Sequence, residues 1–239
     1  MYLSRIELDI HKRETMRALN WPVVMHGAIE NSFVDKAERK LWRVDYLGNR
    51  CFLLVLSDTQ PDFSRLAEQF SAPGTRSEHR NYQPLIDRVR AGQKYRFRLC
   101  ANPVHCTKRD VGLSDRKDRG VIKAHVTQDQ QCQWLIDKAP SCGFSLELGE
   151  KVTKTNKQGE VSEVWTHPSF DIVHTTWRTF GKRADDLKSK NKVTLRTATY
   201  EGVLTVTDVD LFKSKLLSGI GREKAYGCGL LTIIPVREG

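Results

Sequence analysis

Residues 1–10 alternate between apolar and polar positions. Tyr2, Leu3, Ile6, Leu8 and Ile10 stand against Ser4, Arg5, Glu7 and Asp9, which predicts a half-buried strand. The period then changes. From about Met25 to Lys40, Ile29, Phe33 and Ala37 recur at helical spacing and predict a helix. Residues 41–47 (Leu41-Trp42-Arg43-Val44-Asp45-Tyr46-Leu47) alternate again, Gly48-Asn49 offers a turn, and Cys51-Phe52-Leu53-Leu54-Val55-Leu56 is a continuous apolar run. Together they predict a hairpin. A short helix is predicted over residues 62–70. Strand, helix, hairpin and helix make most of a β-α-β-β-α-β ferredoxin-like unit.

From Ser71 to Gly92 the chain turns polar around Pro73, Gly74 and Pro84, and here the predicted junction falls between a domain of residues 1–90 and one of residues 94–239. The second unit opens at Lys94-Tyr95-Arg96-Phe97-Arg98-Leu99, with its apolar and basic positions on opposite faces. A helix is predicted from about Gln128 to Lys138. Strands around residues 144–152 and 161–166 flank a turn with Asn156 and Gly159, and a pair near 170–180 and 192–199 flanks a basic segment. A strand over Gly202 to Thr207 and a helix after Asp208 follow. Hairpins outnumber crossover units, so the predicted class is α+β: two tandem ferredoxin-like (RRM-like) domains with antiparallel sheets.

The chain closes on Gly219-Ile220-Gly221-Arg222-Glu223-Lys224-Ala225-Tyr226-Gly227-Cys228-Gly229, followed by the apolar run Leu230-Leu231-Thr232-Ile233-Ile234. Leu211, Leu216 and Leu217 before it lie on one side of a helical pattern. A dinucleotide-binding loop follows a strand and opens a helix, whereas this one follows a helix and opens a strand. Its glycine spacing also fails that motif, and no Walker pattern is present. The loop reads either as a glycine-rich helix stop or as a place where a ligand approaches the backbone.

Charge narrows the partner. Lysine and arginine number 39 against 29 acids, a net charge of +10 with a pI near 9.4. That is a folded protein with a basic face, and the natural partner of such a face is a polyphosphate. Six cysteines (51, 100, 106, 132, 142, 228) form no CxxC pair and read as reduced thiols of a cytoplasmic protein. No apolar run approaches the length of a membrane span, so no membrane partner is expected. Spacing does not support a zinc site from His105, Cys106, Cys132 and Cys142. No metal or cofactor is expected.

Two groups of residues carry candidate chemistry. Arg178, Lys182, Arg183, Lys188, Lys190, Lys192 and Arg196 crowd a predicted hairpin tip with only Asp185 and Asp186 against them. A basic ribbon of that kind can follow the phosphates of an RNA groove. Histidine is the residue suited to proton transfer near neutral pH. His26 stands at the start of the first predicted helix, with Lys36, Arg39 and Lys40 one to three turns on. Neither a nucleophile elbow nor an HExxH motif appears.

In sequence order, Met1-Tyr2-Leu3-Ser4-Arg5, Met25-His26, Tyr95-Arg96-Phe97-Arg98-Leu99-Cys100-Ala101-Asn102-Pro103, Tyr200-Glu201-Gly202-Val203-Leu204-Thr205-Val206 and the closing Gly227-Cys228-Gly229-Leu230-Leu231 resemble the CasE-type CRISPR repeat endoribonucleases of type I-E Cascade, in the RAMP superfamily. These stretches span nearly the whole chain. The resemblance implies tandem ferredoxin-like domains and metal-independent cleavage at the base of a repeat hairpin. The implied products are a 2′,3′-cyclic phosphate and a 5′-hydroxyl. It implies that the guide RNA is kept and carried into Cascade in the prokaryotic cytoplasm. The family's catalytic histidine falls on His26, and its glycine signature on Gly219, Gly221, Lys224, Gly227 and Gly229, beside bound RNA. Two positions depart from the family. Its usual tyrosine three residues before the histidine is Val23, and a lysine that other members carry shortly after it is replaced by Asn31. Lys36 and Arg39 are then the candidate helpers of His26, which serves as base or acid. The departure also keeps open a second reading, a guide-RNA-binding Cascade subunit of the same fold that does not cut.

Overall fold

The computed structural model describes residues 1–107, 121–155, 159, 161–166, 168–181 and 192–236. The first half runs β1 (Tyr2–Leu8), α1 (Arg13–Asn20), α2 (Pro22–Glu30), β2 (Lys40–Leu47), β3 (Arg50–Ser57), α3 (Ser64–Phe70), β4 (Glu78–Asn81) and α4 (Gln83–Asp87). Its sheet is antiparallel with the order β2-β3-β1-β4. The second half runs β5 (Lys94–Ala101), β6 (Val104–Thr107), β7 (Val121–Ala124), α5 (Gln128–Lys138), β8 (Phe144–Ser145), β9 (Lys151–Thr155), β10 (Val161–Trp165), β11 (Phe170–Gly181), β12 (Lys192–Val206), α6 (Val209–Ser218) and β13 (Leu231–Pro235). Its main sheet has the order β11-β12-β5-β13, with β8 added to the end of β12. Both halves therefore share one ferredoxin-like strand order, and the α+β class holds.

Four local predictions change. The helix expected over 25–40 begins at Pro22, whose missing N–H suits the first helical position, and ends at Glu30. Beyond it Ser32 Oγ donates to the Ala28 carbonyl, and Ile29, Phe33 and Ala37 do not continue one helical face. The polar stretch expected to be a junction holds β4 and α4, and so supplies the strand that completes the first unit. Every residue of β4 is polar, so no alternation marks it. His79 turns inward instead: Nδ1 lies 2.9 Å from Ser4 Oγ and Nε2 2.9 Å from Ser77 Oγ. The strands expected at 192–199 and 202–207 are one strand, β12, and that expected at 144–152 is two short ones, β8 and β9. Helix α1 was not anticipated.

Strand β2 joins the halves because both of its faces are buried. Trp42 and Val44 pack beneath α1 and α2, in a core with Ile6, Met25, Ile29, Leu53 and Val55. Leu41 points the other way, into the second core with Tyr95, Leu99, Leu135, Tyr200 and Phe212. On that same face lie Arg43 and Asp45, both buried. The Arg43 guanidinium donates to Asp45 Oδ1 (2.7 Å) and Oδ2 (2.8 Å), to the carbonyls of Arg98 (2.8 Å) and Leu230 (2.9 Å), and to Thr232 Oγ1 (2.9 Å). Arg98 extends the network, 3.3 Å from Asp45 and 3.1 Å from Glu201. An arginine can be buried at such a joint because each of its donors finds an acceptor. In the sequence Arg43 and Asp45 look like the wet side of a half-buried strand.

Candidate active site

His26 lies on α2, one turn from its start. Met25 and Ile29 face the core at 1% and 0% exposure, and each contributes about 1.5–3 kcal/mol by burial. They fix the rotation of the helix and leave His26 and Glu30 side by side, half-exposed, on another face. His26 Nδ1 is 3.9 Å from Glu30 Oε1. Glu30 Oε2 is 3.1 Å from Lys40 Nζ, on a lysine side chain only 2% exposed. The same ammonium donates to the carbonyls of Asp35 (3.3 Å), Lys36 (3.0 Å) and Glu38 (3.0 Å) and lies over the Phe33 ring.

The tertiary fold brings the closing glycine loop to this helix. A single 3-10 turn, Lys224–Tyr226, packs against α2 and β2. Glu223, just before it, is left-handed at φ 61°. Gly219, Gly227 and Gly229 are buried, while Gly221 is exposed. A side chain on Gly227, where φ is +81°, would begin 2.9 Å from the Trp42 ring, so only glycine lets the loop lie this close to β2. Gly229 N–H donates to the Cys100 carbonyl (2.7 Å), and its own carbonyl accepts from Ile220 N–H (2.9 Å). Arg43 holds the next carbonyl, Leu230, from across the joint. The loop is thus closed on itself and pinned to both halves.

Tyr226 meets Phe180 of β11 edge to face, with ring centroids 4.9 Å apart, which ties the loop to the base of the long hairpin. Arg178, expected on that hairpin, is half-buried and lines a small cleft with Ala18, Leu19, Pro22, Trp42, Val44 and Tyr46. It sits at the joint. Lys192 is exposed where the described part of the hairpin ends, paired with Gly181. Lys182, Arg183, Lys188 and Lys190 lie outside the described residues. Arg196 packs over Trp177, 5.5 Å from the ring.

Arg39 and Lys224, expected in separate roles, act on one another: burial and the nearby charges of Arg39 and Lys215 lower the pKa of the Lys224 ammonium. Three cations from two halves converge here without an ion pair among the described residues, an arrangement that favours an anion. Lys36 is exposed, and its carbonyl is held by Lys40. Beneath the loop, Cys100 and Cys228 interact: the Cys100 thiol is lowered by a hydrogen bond from Cys228, whose own thiol is raised. An open pocket of ≈ 660 Å³ beside Phe63, Arg76 and His79 touches none of these residues. The candidate site is therefore a joint between helix and loop, not a closed cavity. Sequence reasoning noted Lys40 only as one of the cations beyond His26 and missed Glu30, Arg43 and Tyr226. Glu30 had a visible signal, an acid at i+4 from a histidine with a lysine beyond it.

Among the described residues no three His, Cys, Asp or Glu side chains gather as they would around a metal ion, and His105, Cys106, Cys132 and Cys142 do not converge. No described helix is long and apolar enough to cross a membrane.

Tandem ferredoxin-like sheets with a histidine helix clasped by a glycine loop define a recognisable class. The chain belongs to the CRISPR associated protein family, whose pattern matches residues 1–235. It is 27% identical over 241 residues to the CRISPR-associated endoribonuclease Cse3 of Thermus thermophilus, covering 98% of this chain and 100% of that one. It superimposes on CRISPR endoribonuclease Cse3 bound to 19 nt RNA with a TM-score of 0.73 at 25% identity, covering 98% and 100% of the two chains. The fold also matches Cas6e from Escherichia coli K-12, with a TM-score of 0.59 at 18% identity over 99% and 100% of the chains.

Proposed function

We propose that this protein is an endoribonuclease that cuts CRISPR precursor RNA at the base of the repeat hairpin and keeps the product as a guide for Cascade. The observation that carries the reading is the clasp itself, in which α2, the helix bearing His26, packs against the turn bearing Lys224, with Arg39 near that lysine. The likeness to an RNA-bound endoribonuclease over the whole chain supports it.

The chemistry follows from the residue types. Attack by a ribose 2′-hydroxyl on the adjoining phosphate needs a proton acceptor, a donor for the departing 5′-oxygen and positive charge on the crowded phosphorane. His26 serves one proton transfer. Lys224 and Arg39 neutralise phosphate charge, and the rigid clasp fixes in-line geometry. The RNA supplies its own nucleophile, so the reaction runs without a metal ion and leaves a 2′,3′-cyclic phosphate and a 5′-hydroxyl. Residues 1–90 form the domain carrying His26, and residues 94–239 the domain of the basic hairpin and glycine loop. Incubation of the purified protein with a labelled repeat hairpin in EDTA tests this. A single cut with a cyclic-phosphate end is expected, whereas a strict need for divalent metal rejects the mechanism.

Val23, in place of the family's usual tyrosine, favours a second reading: a guide-RNA-binding subunit that does not cut. Tight hairpin binding without any product in the same assay selects it.

A further inference from the structure

We infer that Glu30 is a positioning residue for His26: its carboxylate accepts from the imidazole Nδ1–H and leaves Nε2 to exchange a proton with the RNA. The inference rests on the reading of His26 as the proton-transfer group.

The observations run from the helix outward. Glu30 Oε1 lies 3.9 Å from Nδ1, one turn along α2. That is longer than a hydrogen bond, and catalytic contacts in unliganded proteins commonly tighten only when substrate binds. What distinguishes this pair from an ordinary helix-surface pair is how the acid is held. An exposed pair of long side chains is free to swing and contributes little. Here Oε2 is tied at 3.1 Å to Lys40, whose ammonium is buried and also bound by three carbonyls of residues 35–38. That segment is tied down in turn: Glu38 accepts from Thr59 N–H (2.8 Å) and Thr59 Oγ1 (2.6 Å) at the end of β3. One carboxylate oxygen is thus anchored to the fold while the other faces the histidine.

The helix itself gives no reason for an acid at this place, although the carboxylate does meet the buried ammonium of Lys40. Glu30 is the last residue of α2, where the helix dipole favours a cation, and the last turn holds no basic residue. Lys40 offsets that unfavourable charge from outside the helix. A carboxylate beside Nδ1 does three things for the imidazole. It selects the tautomer whose Nε2 lone pair is free, restrains the ring, and stabilises the cation formed in proton transfer. With Val23 and Asn31 at the two departing positions, Glu30, held by Lys40, is the acid beside His26.

The test compares His26→Ala, Glu30→Ala and Glu30→Met in single-turnover cleavage of a labelled repeat hairpin, with RNA affinity measured alongside. Both Glu30 variants are expected to cut about tenfold slower at unchanged affinity, below the full loss of a proton-transfer group. Nitrogen–proton correlation spectra of histidine-labelled protein give an independent readout. His26 should be protonated on Nδ1 in the native protein and lose that preference in Glu30→Met, which roughly keeps the size of the side chain but removes its acceptor oxygens. Cleavage by Glu30→Ala within about twofold of the native rate overturns the inference. So does an unaltered tautomer in Glu30→Met, and this decides the matter if Glu30→Ala fails to fold. If His26→Ala itself cuts at full rate, the reading of His26 fails instead. An inactive His26→Ala beside a fully active Glu30→Ala rejects only the role of Glu30.

Discussion

The two halves share a strand order and differ in almost everything built upon it. In the first half the strands are four to eight residues long and the helix layer carries His26. In the second, β11 and β12 have 12 and 15 residues and project as a long hairpin, while the segment before β13 becomes the glycine loop. One scaffold thus yields two different parts, a helix bearing His26 and a long two-stranded ribbon with a glycine loop beside it. Neither is complete alone. The site exists because the loop of the second half folds back onto α2 of the first, and Arg43 fastens the joint from beneath.

The largest effect expected from breaking this division is chemical. His26→Ala should lower the cleavage rate by about 10²–10⁴-fold while hairpin affinity stays near native, since the proposed function places binding mainly on the other half. Full cleavage by this variant places the chemistry elsewhere. Next comes the joint. Arg43→Met leaves the buried Asp45 without its main partner and should cost about 3–5 kcal/mol of stability. Denaturant unfolding would report it, and a change of less than about 1 kcal/mol would mean that the halves are held by apolar packing alone.

The glycine loop offers a finer comparison. Gly227→Ala places a methyl group against the Trp42 ring at a left-handed position and should cost about 2–4 kcal/mol. Gly74→Ala, also left-handed at φ +79° but in open space, should cost only about 1–2 kcal/mol. Equal losses would show that backbone conformation, not the fit to β2, selects glycine at position 227. The smallest effect concerns the hairpin. Neutralising Lys182, Arg183, Lys190 and Lys192 should flatten the slope of log affinity against log salt by about 0.7–0.9 for each phosphate left without a cation. An unchanged slope moves the RNA path away from the hairpin.

Local elements were legible wherever the pattern came from neighbouring residues. The hairpin of β2 and β3, strand β5, helix α5 with its Thr127–Gln130 capping box, and helix α6 capped by Asp208 all announce themselves within a short window. Strand β4 does not, because Glu78–Asn81 is a strand only by pairing with Tyr2–Arg5 more than seventy residues away. Helix α2 ended early because Asn31, Ser32 and Lys40 serve the turn that follows it, against the apparent periodicity of Ile29, Phe33 and Ala37.

The sequence by itself determined the class of fold, the basic character, the family resemblance and the place of His26 on a helix. These depend on side-chain type and short spacing, which the chain displays directly. Only the tertiary structure decided that the glycine loop meets that helix. It alone buried Arg43 and Asp45, drew Arg178 into the joint and gave Glu30 an anchored carboxylate. Each of these depends on which surfaces are buried against each other across the whole chain. Burial turns an apparently solvated charge into a fastening because its hydrogen bonds must then be met from within the protein.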